Sequence, residues 1–271
     1  MSKPTHLEPS ELGTKEYWDN LYTTEITNHA HNPSDTGTVW FDDSDAEAKL
    51  VDFLSDSDLD LSLSTTSFLD LGTGNGSLLF GLRDAGWRGR MLGVDYSRKS
   101  VEFARRISQS RTSPPSSISD PDSPRSSEEA EAEVDVEFLE HDILHASPDP
   151  LLTPPQSDGW DVVLDKGTFD AISLSSETSP TTGRRVAESY KTKITPLVRE
   201  GGLFLVTSCN WTEVELQGWF EGVAKEEGDE KTEQWRFEQV GRVEYPSFSF
   251  GGIKGQTISS LCFRKIRNHK S

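Results

Sequence analysis

The chain has 271 residues, of which 33% are hydrophobic and 27% are charged, so it is long enough to bury a sizeable core. Its formal net charge of −19 excludes nucleic-acid backbones and anionic membrane surfaces as direct partners, because both would repel it. Two cysteines are too few for a disulfide framework and indicate a reducing compartment.

The acidity belongs to the folded body of the protein and favours a basic protein partner. Segment 109–133 holds six acids and two bases, a net of −4, so the remaining residues still carry −15. Residues 1–9 lack the apolar core of a secretory signal, and no apolar run reaches the roughly 18 residues of a membrane span. We expect a cytoplasmic protein, with a nuclear pool left open, and a monomer.

Residues 1–66 are predicted to form a helical segment that precedes and caps a sheet. Residues 16–22 place aromatic and apolar side chains at helical spacing, and Thr14 is positioned to cap that helix. A second helical pattern covers 46–54. The loop between the two helices ends in two adjacent aromatic residues, of which Trp40 is the first, and it is placed to close over a bound ligand.

From residue 67 the pattern alternates between short apolar strands and helices, which is typical of a parallel sheet covered on both faces. Strands are predicted at 67–71, 90–95, 136–140, 160–165, 203–208, about 237–244 and 258–264, with helices at 77–85, 98–108, 168–174, 183–198 and 213–227. No helix separates the last two strands, so they are predicted to form an antiparallel hairpin that ends the sheet. The expected fold is therefore α/β.

The segment 109–133 interrupts this alternation. It consists mainly of Ser, Pro, Asp and Glu, and ordering it would cost more entropy than the burial of its few apolar side chains could offset. We therefore predict a disordered insertion within a domain that covers 67–267 and is followed by a short tail, 268–271.

The first predicted strand runs into a glycine-punctuated turn at 68–76, Phe-Leu-Asp-Leu-Gly-Thr-Gly-Asn-Gly. Glycines let a backbone approach a nucleoside-containing ligand closely, and the following helix adds a partial positive charge. Asp95, followed by Tyr96, ends the second strand 19 residues after the turn, where a carboxylate can accept both hydroxyls of a ribose. The candidate cofactor residues of the turn are Asp70, Gly72, Gly74 and Gly76.

A further acid follows the third strand. Asp142 and the neighbouring backbone N–H are placed to read an adenine edge, while Ile143 packs on the face of the ring. His141 is expected to face solvent. No cluster of His, Cys and acidic residues has metal-ligand spacing, so no metal is expected.

Candidate catalytic residues follow strands four and five, where an acceptor should meet the cofactor. Asp165 is placed to hydrogen-bond an incoming amine, and Phe169 to form an apolar wall around an alkyl stem. The other interpretations of these two residues, a helix cap and a core residue, stay open. Asn210 is predicted to line the other side of the pocket.

Two other classes of protein are compatible with parts of this pattern. A nicotinamide dehydrogenase requires Gly-x-Gly-x-x-Gly, whereas Ser77 stands where its third glycine would be. A non-catalytic binding module could keep the fold without the activity, and only the behaviour of variants at Asp95 and Asp165 would separate it from an enzyme.

The glycine turn, the two acids and the final hairpin together resemble the seven-stranded class I methyltransferases, whose Rossmann-like fold binds S-adenosylmethionine. More closely, the chain resembles the lysine methyltransferases of translation elongation factor 1-alpha, in a member of the fungal type. The most specific motifs are Asp-Lys-Gly-Thr-Phe-Asp-Ala-Ile-Ser at 165–173 and Ser-Cys-Asn-Trp-Thr at 208–212, supported by 12–19, 35–41, 69–76 and 248–252.

The resemblance implies transfer of methyl groups from S-adenosylmethionine to a lysine ε-amine of elongation factor 1-alpha, giving mono- and dimethyl-lysine. It also implies that Trp40 contributes to the cofactor site. The Asn-Pro-Pro-Tyr segment that serves planar amides and base amines is absent after strand four, so glutamine and nucleobase acceptors are disfavoured. A methyltransferase for another protein or for a small molecule stays open, since its cofactor site would be the same.

Overall fold

The computed structural model describes residues 6–112, 135–223, 234–250 and 253–268. The α-helices in these ranges are α1 Lys15–His31, α2 Ala46–Leu54, α3 Ser77–Asp84, α4 Arg98–Thr112, α5 Thr168–Ser173, α6 Tyr190–Ile194 and α7 Glu213–Phe220. The strands are β1 Phe68–Leu71, β2 Met91–Asp95, β3 Glu137–Glu140, β4 Trp160–Lys166, β5 Val198–Ser208, β6 Gly222–Val223, β7 Trp235–Val243, β8 Ser247–Phe250, β9 Ile253–Gln256 and β10 Ser259–Arg267.

One mixed sheet organises the molecule, with the strand order β3-β2-β1-β4-β5-β10-β7-β6. The first five strands of this order pair in parallel, whereas β10 runs antiparallel to both β5 and β7. The chain order reverses direction between β1 and β4, and at such a point the loops after neighbouring strands diverge and leave a crevice at their carboxyl ends. The topology therefore predicts where a ligand binds.

Both faces of the sheet are buried, as the apolar runs of the strands require. Successive side chains point to opposite faces, so Phe68 joins the cluster that contains helices α1 to α4, while Leu69 joins the cluster that contains α5 to α7. On β4, Leu164 and Val163 divide in the same way. The predicted α/β sheet with helices on both faces is confirmed.

The N-terminal segment is held against the carboxyl ends of the strands. Thr14 caps α1 by accepting a hydrogen bond from the backbone N–H of Tyr17, as predicted. Farther along α1, Asp19 accepts a hydrogen bond of 2.6 Å from the hydroxyl of Ser97, just after β2. In the loop that follows α1, the carbonyl of Thr36 accepts a bond of 2.8 Å from the side chain of Asn75 in the glycine turn. These contacts place α1 and the loop over the crevice.

Two predicted helices differ from the structure. The pattern at 183–198 becomes 3-10 turns at Val186–Ser189 and Thr195–Leu197 on either side of the short α6, which ends before Pro196 because a proline cannot continue an α-helix. The helix predicted at 213–227 ends at Phe220, since Gly222 adopts a left-handed φ of 77° and starts β6.

The C-terminal strands are antiparallel, as predicted, but they do not end the sheet. Strand β6 pairs with the outer edge of β7, and the connection between β7 and β10 forms its own two-stranded sheet, β8 with β9. The predicted insertion at 109–133 falls largely outside the described residues; its first residues, 109–112, continue α4 as helix.

Candidate functional site

A cavity of about 350 Å³ lies at the carboxyl ends of β1, β2, β3 and β4, beneath α1 and the loop that follows it. Its walls come from five stretches of the chain: the N-terminal segment, the glycine turn, the loop after β2, the loop after β3, and α5 with the residues that flank it. The residues that bear on the predictions and line it are Trp18, Tyr22, Trp40, Gly72, Gly74, Asp95, Tyr96, His141, Asp142, Ile143 and Lys166.

The glycine turn forms the floor of the cavity. Gly72 and Gly74 both have left-handed φ values, of 67° and 59°, which side chains rarely adopt. A Cβ at Gly72 would overlap the hydroxyl of Thr168, and a Cβ at Gly74 would lie 2.9 Å from the hydroxyl of Tyr22. Gly76 differs, because it does not line the cavity; a Cβ there would lie 2.7 Å from the ring of Phe138. A Cβ at any of the three glycines would therefore meet neighbouring atoms of the protein, and only Gly72 and Gly74 also border the space open to a ligand.

Asp95 joins the glycine turn to the end of β2. Its carboxylate accepts hydrogen bonds from the backbone N–H of Gly74 at 3.2 Å, from the N–H of Ser97 at 2.8 Å and from the hydroxyl of Ser100 at 2.7 Å. Burial raises the pKa of Asp95 to about 6, since the charged form loses water, although these donors oppose the rise. The site thus holds a carboxylate with its acceptor lone pairs beside the cavity, where hydroxyl donors of a ligand would stabilise the ion.

Asp70 and Tyr96 flank this carboxylate. Asp70 is 3% exposed and lies under the turn rather than among the lining residues, and burial raises its pKa to about 7. Tyr96 lines the cavity, and burial raises its pKa well above the ordinary value for a phenol. Of these two residues, only Tyr96 lines the cavity.

The loop after β3 supplies the opposite wall. Asp142 and Ile143 line the cavity, and Asp142 also accepts bonds from the N–H groups of Leu144 and His145, at 3.0 and 3.2 Å. The expectation that His141 faces solvent is wrong, because its side chain is only 7% exposed and lines the cavity. Burial lowers the pKa of His141, which favours the neutral ring.

The structure does not bring the three predicted catalytic residues onto the cavity. Asp165 is 1% exposed, and its carboxylate accepts the N–H groups of Thr168 at 2.9 Å and Phe169 at 3.1 Å, together with the hydroxyl of Tyr190 at 2.7 Å. Asp165 therefore caps the N-terminal end of α5. Burial raises its pKa to about 7.

Phe169 and Asn210 are likewise displaced from the predicted pocket. Phe169 is fully buried and stacks on Tyr190 at a ring-centroid distance of 5.6 Å, in the core on the α5 to α7 side of the sheet. Asn210 is exposed after β5. The helical periodicity of α5 explains the position of Phe169, because Thr168, Ala171 and Ile172 share the face that lines the cavity and Phe169 lies off that face, in the core.

The wall from the N-terminal segment is aromatic and was mostly missed by the sequence analysis. Trp18 and Tyr22 stand one helical turn apart on α1 and line the cavity together with the predicted Trp40. The ring centroids of Trp18 and Trp40 are 5.2 Å apart, and those of Trp18 and Tyr22 are 6.3 Å apart. The aromatic spacing of α1 was a usable signal, but it did not reveal which face of the helix meets the cavity.

Two further findings concern the described residues alone. They contain no group of three or more His, Cys, Asp or Glu side chains arranged to hold a metal ion. Among the helices of the same residues, none combines the length and the apolar character that a membrane crossing requires.

Comparison with known proteins adds a family match and full-length relatives. A family model described as a methyltransferase domain matches residues 62–252. The protein-lysine N-methyltransferase EFM4 of Saccharomyces cerevisiae is 37% identical over 269 residues, covering 98% of this chain and 99% of the relative. Its Schizosaccharomyces pombe counterpart is 34% identical and covers 95% of both chains. The EEF1A lysine methyltransferase 2 of Homo sapiens is 30% identical, covering 95% of this chain and 88% of the relative.

Solved structures resemble the chain more distantly. A magnesium protoporphyrin IX methyltransferase of Synechocystis with bound SAM covers 92% of this chain and 96% of its own, at 15% identity and a TM-score of 0.48.

Proposed function

Since the chain belongs to the methyltransferase-domain family, within the group that contains EFM4 and EEF1A lysine methyltransferase 2, we propose that it methylates a lysine ε-amine of translation elongation factor 1-alpha. The chain is an enzyme, and its cofactor is S-adenosylmethionine. We further propose that the products are mono- and dimethyl-lysine, and that the protein acts as a cytoplasmic monomer without direct contact to nucleic acid or membrane.

One observation carries the cofactor part of the proposal. The cavity joins the glycine turn, Asp95 and Asp142 in a single space of about 350 Å³ at the carboxyl ends of neighbouring strands. Gly72 and Gly74 carry no side chain and line this space, so a ligand can approach their backbone closely, which fits a nucleoside-containing cofactor. In this proposal the carboxylate of Asp95 accepts hydrogen bonds from the ribose hydroxyls. Asp142 and Ile143 bind the adenine, and Tyr96 and Trp40 cover the bound molecule.

When bound, the cofactor supplies an activated methyl group on a sulfonium, so the protein must chiefly position an acceptor and keep it neutral. A lysine with a pKa of about 10.4 is mostly charged at neutral pH. Transfer of the amine from water into the partly enclosed cavity, beside Trp18, Tyr22 and Trp40, disfavours its charged form through desolvation and so raises its reactive fraction. Asp165 is not placed for this task, because its carboxylate accepts hydrogen bonds from the start of α5 and from Tyr190.

The test is methyl transfer to purified elongation factor 1-alpha with labelled S-adenosylmethionine, read out by mass spectrometry of its peptides. We expect methyl groups on lysine. Asp95→Ala should abolish most of the transfer, whereas Asp84→Ala, which removes an exposed carboxylate at the far end of α3, should not change it.

A lysate from a strain that lacks this enzyme serves as the second substrate. Label confined to a different protein would contradict the proposed acceptor, and label in no protein would favour a small-molecule acceptor.

A further inference from the structure

Lys166, the last residue of β4, lines the cavity although its side chain is only 13% exposed. A lysine ammonium is strongly hydrated, and moving it out of water is costly unless other groups replace that water. The contacts of this side chain therefore indicate what it contributes to the site.

The partners of Lys166 lie on the N-terminal segment. Its Nζ is 3.3 Å from a carboxylate oxygen of Glu47 on α2 and 3.3 Å from the backbone carbonyl of Trp40. Glu47 also accepts a hydrogen bond of 2.6 Å from the hydroxyl of Ser77, the first residue of α3. The buried carboxyl of Asp70 feels the same positive charge, which opposes the rise of its pKa on burial. One ammonium thus connects β4 to the loop that carries Trp40.

That loop needs external support. Phe41 has a left-handed φ of 67°, which is unusual for a bulky side chain and persists only where the surroundings hold it. Its ring lies against the backbone of Gly167, where an added Cβ would meet it at 3.4 Å, and Nζ of Lys166 lies 6.0 Å from the ring centroid. Residues 166 and 167 therefore support the turn at Trp40 and Phe41 from below.

We propose that Lys166 is a positioning residue: its ammonium holds the Trp40 carbonyl, and through it the Trp40 ring, against the cavity, so that it sets the affinity for the cofactor. The inference rests on the proposed function in one respect, namely that this cavity binds the cofactor. It assigns Lys166 no contact with the reacting atoms.

The experiment is a double-mutant cycle on the full chain, with the dissociation constant of S-adenosylhomocysteine measured by calorimetry. Lys166→Met should weaken binding about tenfold, the scale of one hydrogen bond from a charged donor. In a protein that already carries Trp40→Ala, Lys166→Met should raise the dissociation constant by less than about a further twofold, because both changes remove the same wall of the cavity. Lys166→Arg, which keeps the positive charge and hydrogen-bond donors, should restore most of the affinity.

Two additional variants separate positioning from folding. Lys99→Met, which removes a half-exposed lysine paired with Glu102 on α4, is the matched control and should bind like the parent. For the case in which Lys166→Met unfolds only because it leaves Glu47 unpaired, the combined Lys166→Met and Glu47→Gln variant removes both charges. This combined variant should show the same tenfold loss of affinity for S-adenosylhomocysteine.

Two results would overturn the inference. One is that the effects of Lys166→Met and Trp40→Ala on the free energy of binding add. The other is that the combined Lys166→Met and Glu47→Gln variant folds and binds S-adenosylhomocysteine as tightly as the parent. The assay needs no acceptor. A parent protein that binds S-adenosylhomocysteine but does not methylate elongation factor 1-alpha would contradict the proposed acceptor and leave the role of Lys166 intact.

Discussion

Asp95 and Asp165 each stand at the carboxyl end of a parallel strand and both are buried, yet only Asp95 lines the cavity. Asp95 is held by donors from the glycine turn and the start of α4, which lie beside the cavity. Asp165 is held by the backbone N–H of Phe169 and by the hydroxyl of Tyr190, two residues of the core on the α5 to α7 side of the sheet. The same residue type at equivalent positions therefore serves a ligand in one case, by our proposal, and a helix in the other.

The pKa of Asp95 leads to a prediction about cofactor affinity. Hydroxyl donors bind the ionised carboxylate, so below a pKa of about 6 the ligand must first displace a proton. We expect the affinity for S-adenosylhomocysteine to fall by up to about tenfold for each pH unit below that value. Calorimetry at pH values above and below about 6 measures the dissociation constant of S-adenosylhomocysteine for the parent and for Asp95→Asn. The variant should bind weakly at every pH; a parent whose affinity does not change below the pKa would contradict the ribose assignment.

The pKa of Asp165 leads to a prediction about stability. Burial raises it from 3.8 to about 7, so the folded protein binds this proton more tightly than the unfolded chain does. Its contribution to the free energy of unfolding is therefore fully present below about pH 4 and is lost as the pH rises through the folded-state pKa. Asn at this position has no such proton. We expect the parent to gain stability relative to Asp165→Asn between about pH 8 and about pH 5 in urea unfolding.

The same variant tests the catalytic assignment that the geometry disfavours. Asp165→Asn should transfer methyl groups to elongation factor 1-alpha with a kcat close to that of the parent, because Asp165 does not line the cavity. A stability difference that does not vary with pH would mean that the carboxyl is ionised in the folded protein.

At the scale of the elements, α1 and α7 are capped by the same residue type but stand in different relations to the cavity. Thr14 caps α1, which carries Trp18 and Tyr22 into the cavity wall. Thr212 caps α7 in a capping box with Glu215, and none of the described lining residues belongs to α7. The two caps therefore form a natural pair for separating stability from binding.

We expect Thr14→Ala and Thr212→Ala each to lower the free energy of unfolding by about 1 kcal/mol. Only Thr14→Ala should also weaken the binding of S-adenosylhomocysteine, because fraying of α1 displaces the aromatic wall. Denaturant unfolding and calorimetry on both variants measure the two effects. Equal binding by the two variants would show that the first turn of α1 does not position the wall.

At the scale of the whole molecule, the net charge of −19 acts on the encounter with a protein substrate rather than on the fold. Raising the salt concentration from about 0.05 M to about 0.3 M shortens the screening distance, so kcat/KM for a basic protein substrate should fall severalfold. The dissociation constant of S-adenosylhomocysteine should change little over the same range. Initial rates measured at both salt concentrations test this, and a salt-independent kcat/KM would contradict electrostatic steering.

The amino-acid sequence by itself determined the order of the elements, the parallel sheet and the grouping of the cofactor candidates. Alternating apolar runs predict strands such as β1, and the carboxyl ends of parallel strands meet at one edge, so Gly72, Asp95 and Asp142 had to converge. The apolar runs are a local property of the chain, and the convergence of the strand ends follows from the topology. A single sequence therefore reveals both.

Only the tertiary structure decided which side chains at that edge reach the cavity. Asp165 and Phe169 follow the pattern of strand β4 and its connection but turn towards α5 and the core, whereas Trp18 and Lys166, which lie in the motifs but were assigned no role in the site, form walls. The orientation of such residues depends on how segments far apart in the chain pack together, here the N-terminal segment against the end of β4. A contact between residues 40 and 166 has no signature in the local pattern of either segment, because it exists only after both have folded onto the same sheet.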